Sequence, residues 1–413
     1  MNLYRLSHEC DYLINYNSAM NSTEISGILI HNFYRSNSPS GENLAVLEYE
    51  QILKSICTRF ETLYRYSDNI EDFSLMRTLS TVLTQGSPKS VLRDLTYILD
   101  NYKYNFINFH NLYPLIGSDI IPLAKSRNVK VIFTVHNYRF QCLSGSNFRR
   151  DQLCLKCPEA GSFKPGVFHS CFQDSFLKSF ILSRKINRFR NLLDDIDAFF
   201  VLSKHSSTAL QKLGIPEKKI LLGKNYSNSS PEKSSYPPGK SILFVGRLDN
   251  LKGIVDFIAS WRKSKLPDLG WKFRIAGSGP NESKIISASS MDSSIQFLGN
   301  LTKSQLSKEY EDASYVVIPS RGFEGFPLVI PEALSHGRPV IASEIGSLSS
   351  ILNSDFGILM RPTEEDQVAT LNLLPYRDWR KLSKNAYQFW ESNLDSSLRL
   401  DHFQEMLNNV ISD

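Results

Sequence analysis

Long apolar runs are missing from this sequence. None reaches the ~18 residues that a bilayer-spanning helix needs, so no segment of the 413 residues is expected to cross a membrane as a helix. An export signal is missing too: in residues 1–26, Tyr4, His8, Glu9, Asp11 and Tyr12 are scattered among Asn and Ser, without an apolar stretch. That segment reads as a loosely ordered extension. Charge of one sign is scarce, since 47 Lys and Arg stand against 42 Asp and Glu, a net charge of +5. Without a concentrated patch this is too little to imply nucleic-acid binding, although it suits an anionic ligand or membrane surface. Six cysteines with no export signal point to a reducing compartment, where thiols stay free or bind metal. The expected location is the cytoplasm, at most peripheral to the inner face of the membrane.

What is present is alternation. From Gly27, short β-branched runs alternate with helical patterns, as in a parallel sheet covered by crossover helices. Strands are expected at GILIHNF (27–33), FINFH ending at His110, VKVIFTV before His136 and AFFVLS ending at Ser203. NYSNSSPEKSSYPPG (225–239) has the Ser- and Pro-rich composition of an exposed linker. Beyond it the alternation restarts with SILFVG, KFRIAG, IQFLG, YVVIPS and RPVIAS. The expected organisation is an extension (1–26), an N-terminal Rossmann-like domain (27–224) with a Cys-containing insertion (141–171), a linker (225–239), a second Rossmann-like domain (240–377) and C-terminal helices (378–413). The fold class is therefore α/β, two doubly wound domains facing across a cleft. Ligands of such sheets bind at the carboxyl ends of the strands.

At those ends, FVGRLDNLKG (244–253) places Arg247 just after a strand and Lys252 at the start of a helix, where two cations and a helix N-terminus suit a diphosphate. Taken alone, the segment is equally an exposed turn with two solvated basic residues. RGFEGFPLVIPEAL (321–334) separates Glu324 from Glu332 by seven residues, with a Gly-Phe-Pro turn between them. The backbone N–H groups of Phe326, Leu328 and Val329 are then free to face a phosphate.

Taken in order, VGRL...KG, RIAGSGP, IQFLGN and EGFPLVIPEAL resemble the family 4 glycosyltransferases, retaining enzymes of the GT-B fold, over most of residues 27–360. By that resemblance Arg247 and Lys252 hold the donor diphosphate, Glu324 contacts the transferred sugar and Glu332 binds the ribose. Gly277, Gly279 and the stretch Phe297 to Gly299 border the base, although the two glycines alone read as a strand-ending turn. His136, in TVHNYR, takes the place of a residue that contacts the donor sugar near the reacting carbon, with His110 a weaker second candidate. SPSGE (38–42) resembles the family's Gly-Gly-Glu loop, with Ser40 replacing the first glycine and Gly41 retained.

Three further features stand outside that pattern. Cys142, Cys154, Cys157 and Cys171 form C-x11-C-x2-C-x13-C, either a tetrahedral structural zinc site, with His169 a substitute ligand, or ordinary loop thiols. Residues 177–193 put Leu182, Ile186, Phe189 and Leu193 on one stripe of a basic helix, which either contacts an anionic membrane or packs on its own sheet. Asp195-Ile196-Asp197 has the D-x-D form of a metal site but precedes a strand, and reads as helix-end charge. The resemblance implies transfer of a sugar, a hexose, from a nucleotide-diphosphate donor to a glycan or lipid-linked acceptor, with no cofactor required for catalysis. A sugar-nucleotide epimerase of the same architecture and a non-catalytic sugar-nucleotide-binding subunit are the alternatives.

Overall fold

The computed structural model describes residues 25–35, 41–70, 86–228 and 239–412. The expected extension, except its last two residues, Ser40 and the middle of the expected linker lie outside them. In chain order the strands are β1 (Ser26–Phe33), β2 (Arg59–Tyr66), β3 (Phe106–Phe109), β4 (Lys130–Val135), β5 (Phe148–Arg149), β6 (Gln152–Leu153), β7 (Ala198–Val201), β8 (Ile220–Leu222), β9 (Ser241–Val245), β10 (Lys272–Ala276), β11 (Ile295–Gly299), β12 (Tyr315–Ile318), β13 (Val340–Ser343) and β14 (Gly357–Met360).

Two six-stranded sheets result, ordered β2-β1-β3-β4-β7-β8 and β11-β10-β9-β12-β13-β14. Every pairing within them is parallel. Parallel sheets carry helices on both faces, so their central strands must be apolar on both sides. β3, β7, β12 and β13 are accordingly buried at every residue. The edge strand β2 instead exposes Arg59 and Glu61, charges that discourage a further strand from pairing there. The order of strand addition reverses once in each sheet, between β1 and β3 in the first and between β9 and β12 in the second. Those reversals mark where α/β sheets bind ligands.

The C-terminal helices divide between the domains. On the helix Trp379–Asn393, Ala386 and Trp390 pack into the second domain. The helix Arg399–Ile411 sends Phe403, Met406, Leu407 and Val410 back to the first sheet, against Leu29, Phe33, Phe106 and Phe200. The chain thus passes between the domains twice, and the two passages are fastened together. Ser227 and Asp395 form a parallel bridge, the Ser227 N–H donates to Leu394 O at 3.1 Å, and Trp390 Nε1 donates to Ser227 Oγ at 2.9 Å. The sequence placed 225–228 in an open linker; the structure makes it half of an ordered strap.

Candidate active site

The loops at the second sheet's reversal are built on one carboxylate. Asp249 receives Arg247 Nε at 2.5 Å on one oxygen and the Lys252 backbone N–H at 2.9 Å on the other. The helix begins only at Ile254, after Gly253 in the left-handed conformation (φ 68°). A Cβ on Gly253 would stand 2.1 Å from Pro319 O, so only glycine lets this turn lie against the end of β12. Lys252 therefore sits in the turn and not at the helix start, which corrects the sequence reading. Its Nζ lies 2.7 Å from both oxygens of Glu324, and Ser347 Oγ donates to Glu324 O at 2.7 Å. The Glu324 side chain is 11% exposed and that of Lys252 24%, so the pair is largely withdrawn from water.

Neighbouring residues frame this pair. Gly277 and Gly279 both have positive φ, and a Cβ on Gly277 would meet Gly246 O at 1.9 Å. These glycines let the loop after β10 lie directly against the loop after β9. Leu328 and Val329 open the helix Val329–Ser335, and their N–H groups, like that of Phe326, donate to no backbone carbonyl among the described residues. Glu332, in that helix, accepts the Tyr310 hydroxyl at 2.7 Å. Burial raises the Glu332 carboxyl above its ordinary value, and the Tyr310 hydrogen bond opposes this.

Across the cleft, the first sheet presents three histidines. His110 Nδ1 and His136 Nε2 lie 2.6 Å apart with their rings stacked at 4.8 Å. His31, inside β1, accepts the Asn111 N–H on Nδ1 at 3.3 Å, so its proton is on Nε2, which faces Asn43 Oδ1 at 3.1 Å. Burial lowers all three pKa values: that of His136 to about 4, that of His110 well below the ordinary value with the charges of His136 and His31 adding to the shift, and that of His31 less steeply. A recess of about 440 Å³ beside the pair is lined by His110, Asn111, His136, Asn137, Arg139 and Phe140 among others. Gly41 opens the helix Gly41–Ile56, and a Cβ there would touch nothing within 4 Å among the described residues.

The buried imidazoles carry a pH signature. Between about pH 4 and 6.5 the unfolded chain protonates His136 and the folded chain does not, so stability, complete above 6.5, falls as the pH drops through that window, and the lowered His110 and His31 act in the same direction. Each such histidine adds a slope of about 1.4 kcal/mol per pH unit. Urea unfolding from pH 7.5 to 4.5 should therefore show a steeper acid loss for wild type than for His110→Phe. Equal slopes would mean that His110 is already protonated in the native state.

The two walls touch. Gly325 lies against the His136 carbonyl, where a Cβ would stand 2.4 Å from the oxygen. The Phe323 N–H donates to Ser146 O at 2.7 Å, and the Phe323 ring packs on His205 and Tyr138 at 4.5 and 5.2 Å. The residue after Glu324 thus adjoins the backbone of His136. His31, Asp249 and Phe323 were missed by sequence reasoning. Asp249 and Phe323 stood within the quoted segments; His31, in mid-strand, gave no signal.

Leu143 and Phe163 of the insertion form a small core with Leu182 and Ile186 of the helix Phe176–Arg190. Cys142, Cys154, Cys157, Cys171 and His169 line one cavity of about 310 Å³, and the four thiols are free. Among the described residues no three or more His, Cys, Asp or Glu side chains stand ready to hold a metal, so a zinc ion would have to draw these thiols together. Asp197 is a structural tie, receiving Lys125 Nζ at 2.8 and 2.9 Å and the Val131 N–H at 2.7 Å. The stripe Leu182, Ile186, Phe189 and Leu193 is buried inside the first domain and faces no membrane.

With 94% of this chain and 99% of the other aligned, the architecture matches sucrose-phosphate synthase from Thermosynechococcus elongatus at a TM-score of 0.67 and 16% identity. Anabaena HepE in complex with UDP aligns over 92% of this chain and 99% of its own, at a TM-score of 0.60 and 14% identity. The fold is GT-B. Residues 239–373, the domain that holds Arg247, Lys252, Glu324 and Glu332, match the family described as Glycosyl transferases group 1. An uncharacterised glycosyltransferase of Methanocaldococcus jannaschii is 37% identical over 32% of this chain and 34% of its own length. An exopolysaccharide phosphotransferase of Streptomyces coelicolor is 30% identical over 42% of this chain and 19% of its own. The chain thus spans about a third or less of the length of these curated relatives.

Proposed function

We propose that this GT-B chain is a retaining glycosyltransferase of family 4, moving a sugar from a nucleotide-diphosphate donor to a hydroxyl of a glycan or lipid-linked acceptor. One observation carries the reading. The Lys252–Glu324 pair stands at the reversal of the second sheet, and the residue after Glu324 rests on His136 of the first domain. Cations for a diphosphate and polar groups for a sugar therefore converge on one cleft.

In this reading Arg247 and Lys252 take the donor diphosphate, sharing charge now matched by Asp249 and Glu324. The backbone at Gly41 and the helix start at Phe326, Leu328 and Val329 add N–H donors in this reading. Glu324 and the neutral His136 then contact sugar hydroxyls, and Glu332 takes the ribose. The bond from the anomeric carbon to the phosphate oxygen breaks while the acceptor oxygen bonds to the same face. The acceptor proton passes to the departing phosphate, so no side chain need act as nucleophile. The chain's own cations stabilise the leaving charge, and no metal is assigned to this step. The cysteine cavity is assigned at most a structural zinc, checked by the metal content of the purified protein.

Screening UDP-, GDP- and ADP-sugars by thermal denaturation identifies the donor, because a ligand of the native state raises its stability. A solved neighbour is described with UDP, so UDP-sugars are expected to give the largest rise. The stabilising donor should be consumed only when an acceptor is added, and a chelator should leave that rate unchanged. Turnover of donor alone into an isomeric sugar nucleotide would favour an epimerase; binding with no turnover under any acceptor would favour a binding subunit.

A further inference from the structure

The chain's positive charge is not spread evenly. Residues 141–190 hold nine Lys and Arg against three Asp and Glu, a surplus larger than the +5 of the whole chain, so the remainder is close to neutral. This segment, the insertion and the helix Phe176–Arg190, also exposes large apolar side chains: Phe168 (78%), Phe176 (59%), Leu177 (60%) and Phe180 (43%). On the helix, Ser179, Leu182, Ile186 and Phe189 turn inward, while Leu177, Phe180, Arg184 and Arg188, the last ion-paired with Asp119, form the outer face at helical spacing. Arg150, Lys156, Lys164 and Lys178 are exposed in the same segment, and the charges of Arg149, Lys156 and Arg150 all act on His169, next to Phe168.

We propose that this surface docks on an anionic lipid bilayer, with Phe168, Phe176, Leu177 and Phe180 in the interface and the surrounding cations on lipid headgroups. Aromatic and basic side chains on one outward helix face are what such contact requires, since the rings gain by leaving water and each cation gains from the negative surface. Charge complementarity selects an anionic bilayer over a neutral apolar partner. No helix among the described residues is long and apolar enough to cross a membrane, so the contact lies within the interface. The inner side of the same helix, through Ile186 and Phe189, lines the recess shared with His110 and His136. Docking would hold that recess close to the membrane surface. The surface is distinct from the stripe that the sequence suggested, and it does not depend on the reaction proposed above.

Co-sedimentation with phosphatidylcholine vesicles, alone or with about a third phosphatidylglycerol, tests this on the full chain. Wild type should partition at least about fivefold more into the anionic vesicles, and raising salt from about 0.05 to 0.5 M should reduce binding. Two variants, Phe176→Ser/Leu177→Ser/Phe180→Ser and Lys156→Glu/Lys164→Glu/Lys178→Glu, should each lower it by at least about fivefold while keeping the wild-type melting temperature, because the altered residues are exposed. Wild type remaining in the supernatant with both vesicles, or either variant binding like wild type, overturns the proposal. So does a wild-type dimer in sedimentation velocity that the apolar variant splits without any vesicle binding, which would make the patch a contact between copies.

Discussion

Glu324→Gln and His136→Ala are each expected to lower turnover by about a hundredfold or more while nucleoside diphosphate affinity stays within about threefold of wild type. The expectation rests on position. Glu324 is held by Lys252 and, through its carbonyl, by Ser347, at the end of the loop that reaches the first domain. His136 is held by His110 at 2.6 Å, beside the recess on the opposite wall. In the proposed reaction, groups so fixed are expected to act on charge developing at the sugar and little on the nucleotide. Calorimetry with the diphosphate and turnover with the identified donor and acceptor, run on both variants, provide the check. Wild-type turnover in both would remove these residues from the site. Loss of nucleotide affinity alone would move them to the nucleotide pocket.

Lys252→Ala should weaken nucleoside diphosphate binding by about ten- to a hundredfold, the 1.5–3 kcal/mol of one charge-assisted hydrogen bond. Arg247→Ala should show the smaller effect, since its side chain is 46% exposed and solvent screens its charge. The two should also differ in kind. Removing Lys252 leaves the carboxylate of Glu324, itself 11% exposed, without its cation, so turnover should fall further than affinity. In the double variant Lys252→Ala/Glu324→Gln the losses should fall well short of additive, because the two side chains act as one unit. Unchanged diphosphate affinity in both single variants would refute the assignment of these cations.

Strands buried on both faces, such as Phe106–Phe109 and Tyr315–Ile318, were legible as short apolar runs, and the domain plan followed from them. Arg247, Lys252, Glu324 and Glu332 were legible as suspects because strand ends and turn residues locate the loops of an α/β sheet. Their partners were not. Lys252 and Glu324 lie 72 residues apart, and no periodicity records which cation meets which carboxylate. His31 sits in the interior of β1, where a polar residue carries no turn signal, and only the fold sets it beside Asn111 and Asn43. Amphipathic spacing found the stripe from Leu182 to Leu193 but says nothing about what a stripe faces; here it faces the protein's own interior. The same limit applied to the C-terminal helices, whose apolar residues fit either domain until the fold divided them.

That division bears on the order of synthesis. The first domain is translated early, yet the face of its sheet that carries Leu29, Phe33, Phe106 and Phe200 receives part of its cover only from Phe403, Met406, Leu407 and Val410. The second domain, by contrast, draws its described core, Leu202 aside, from a continuous later stretch of chain. At about 5–20 residues per second, the roughly 200 residues between the two parts of the first domain take about 10–40 s to make. Throughout that interval the face is covered only in part, by Val46, Tyr49, Ile52 and Leu53 of the early helix, and the rest is a surface that a chaperone would recognise; the domain begun first is the last to be completed.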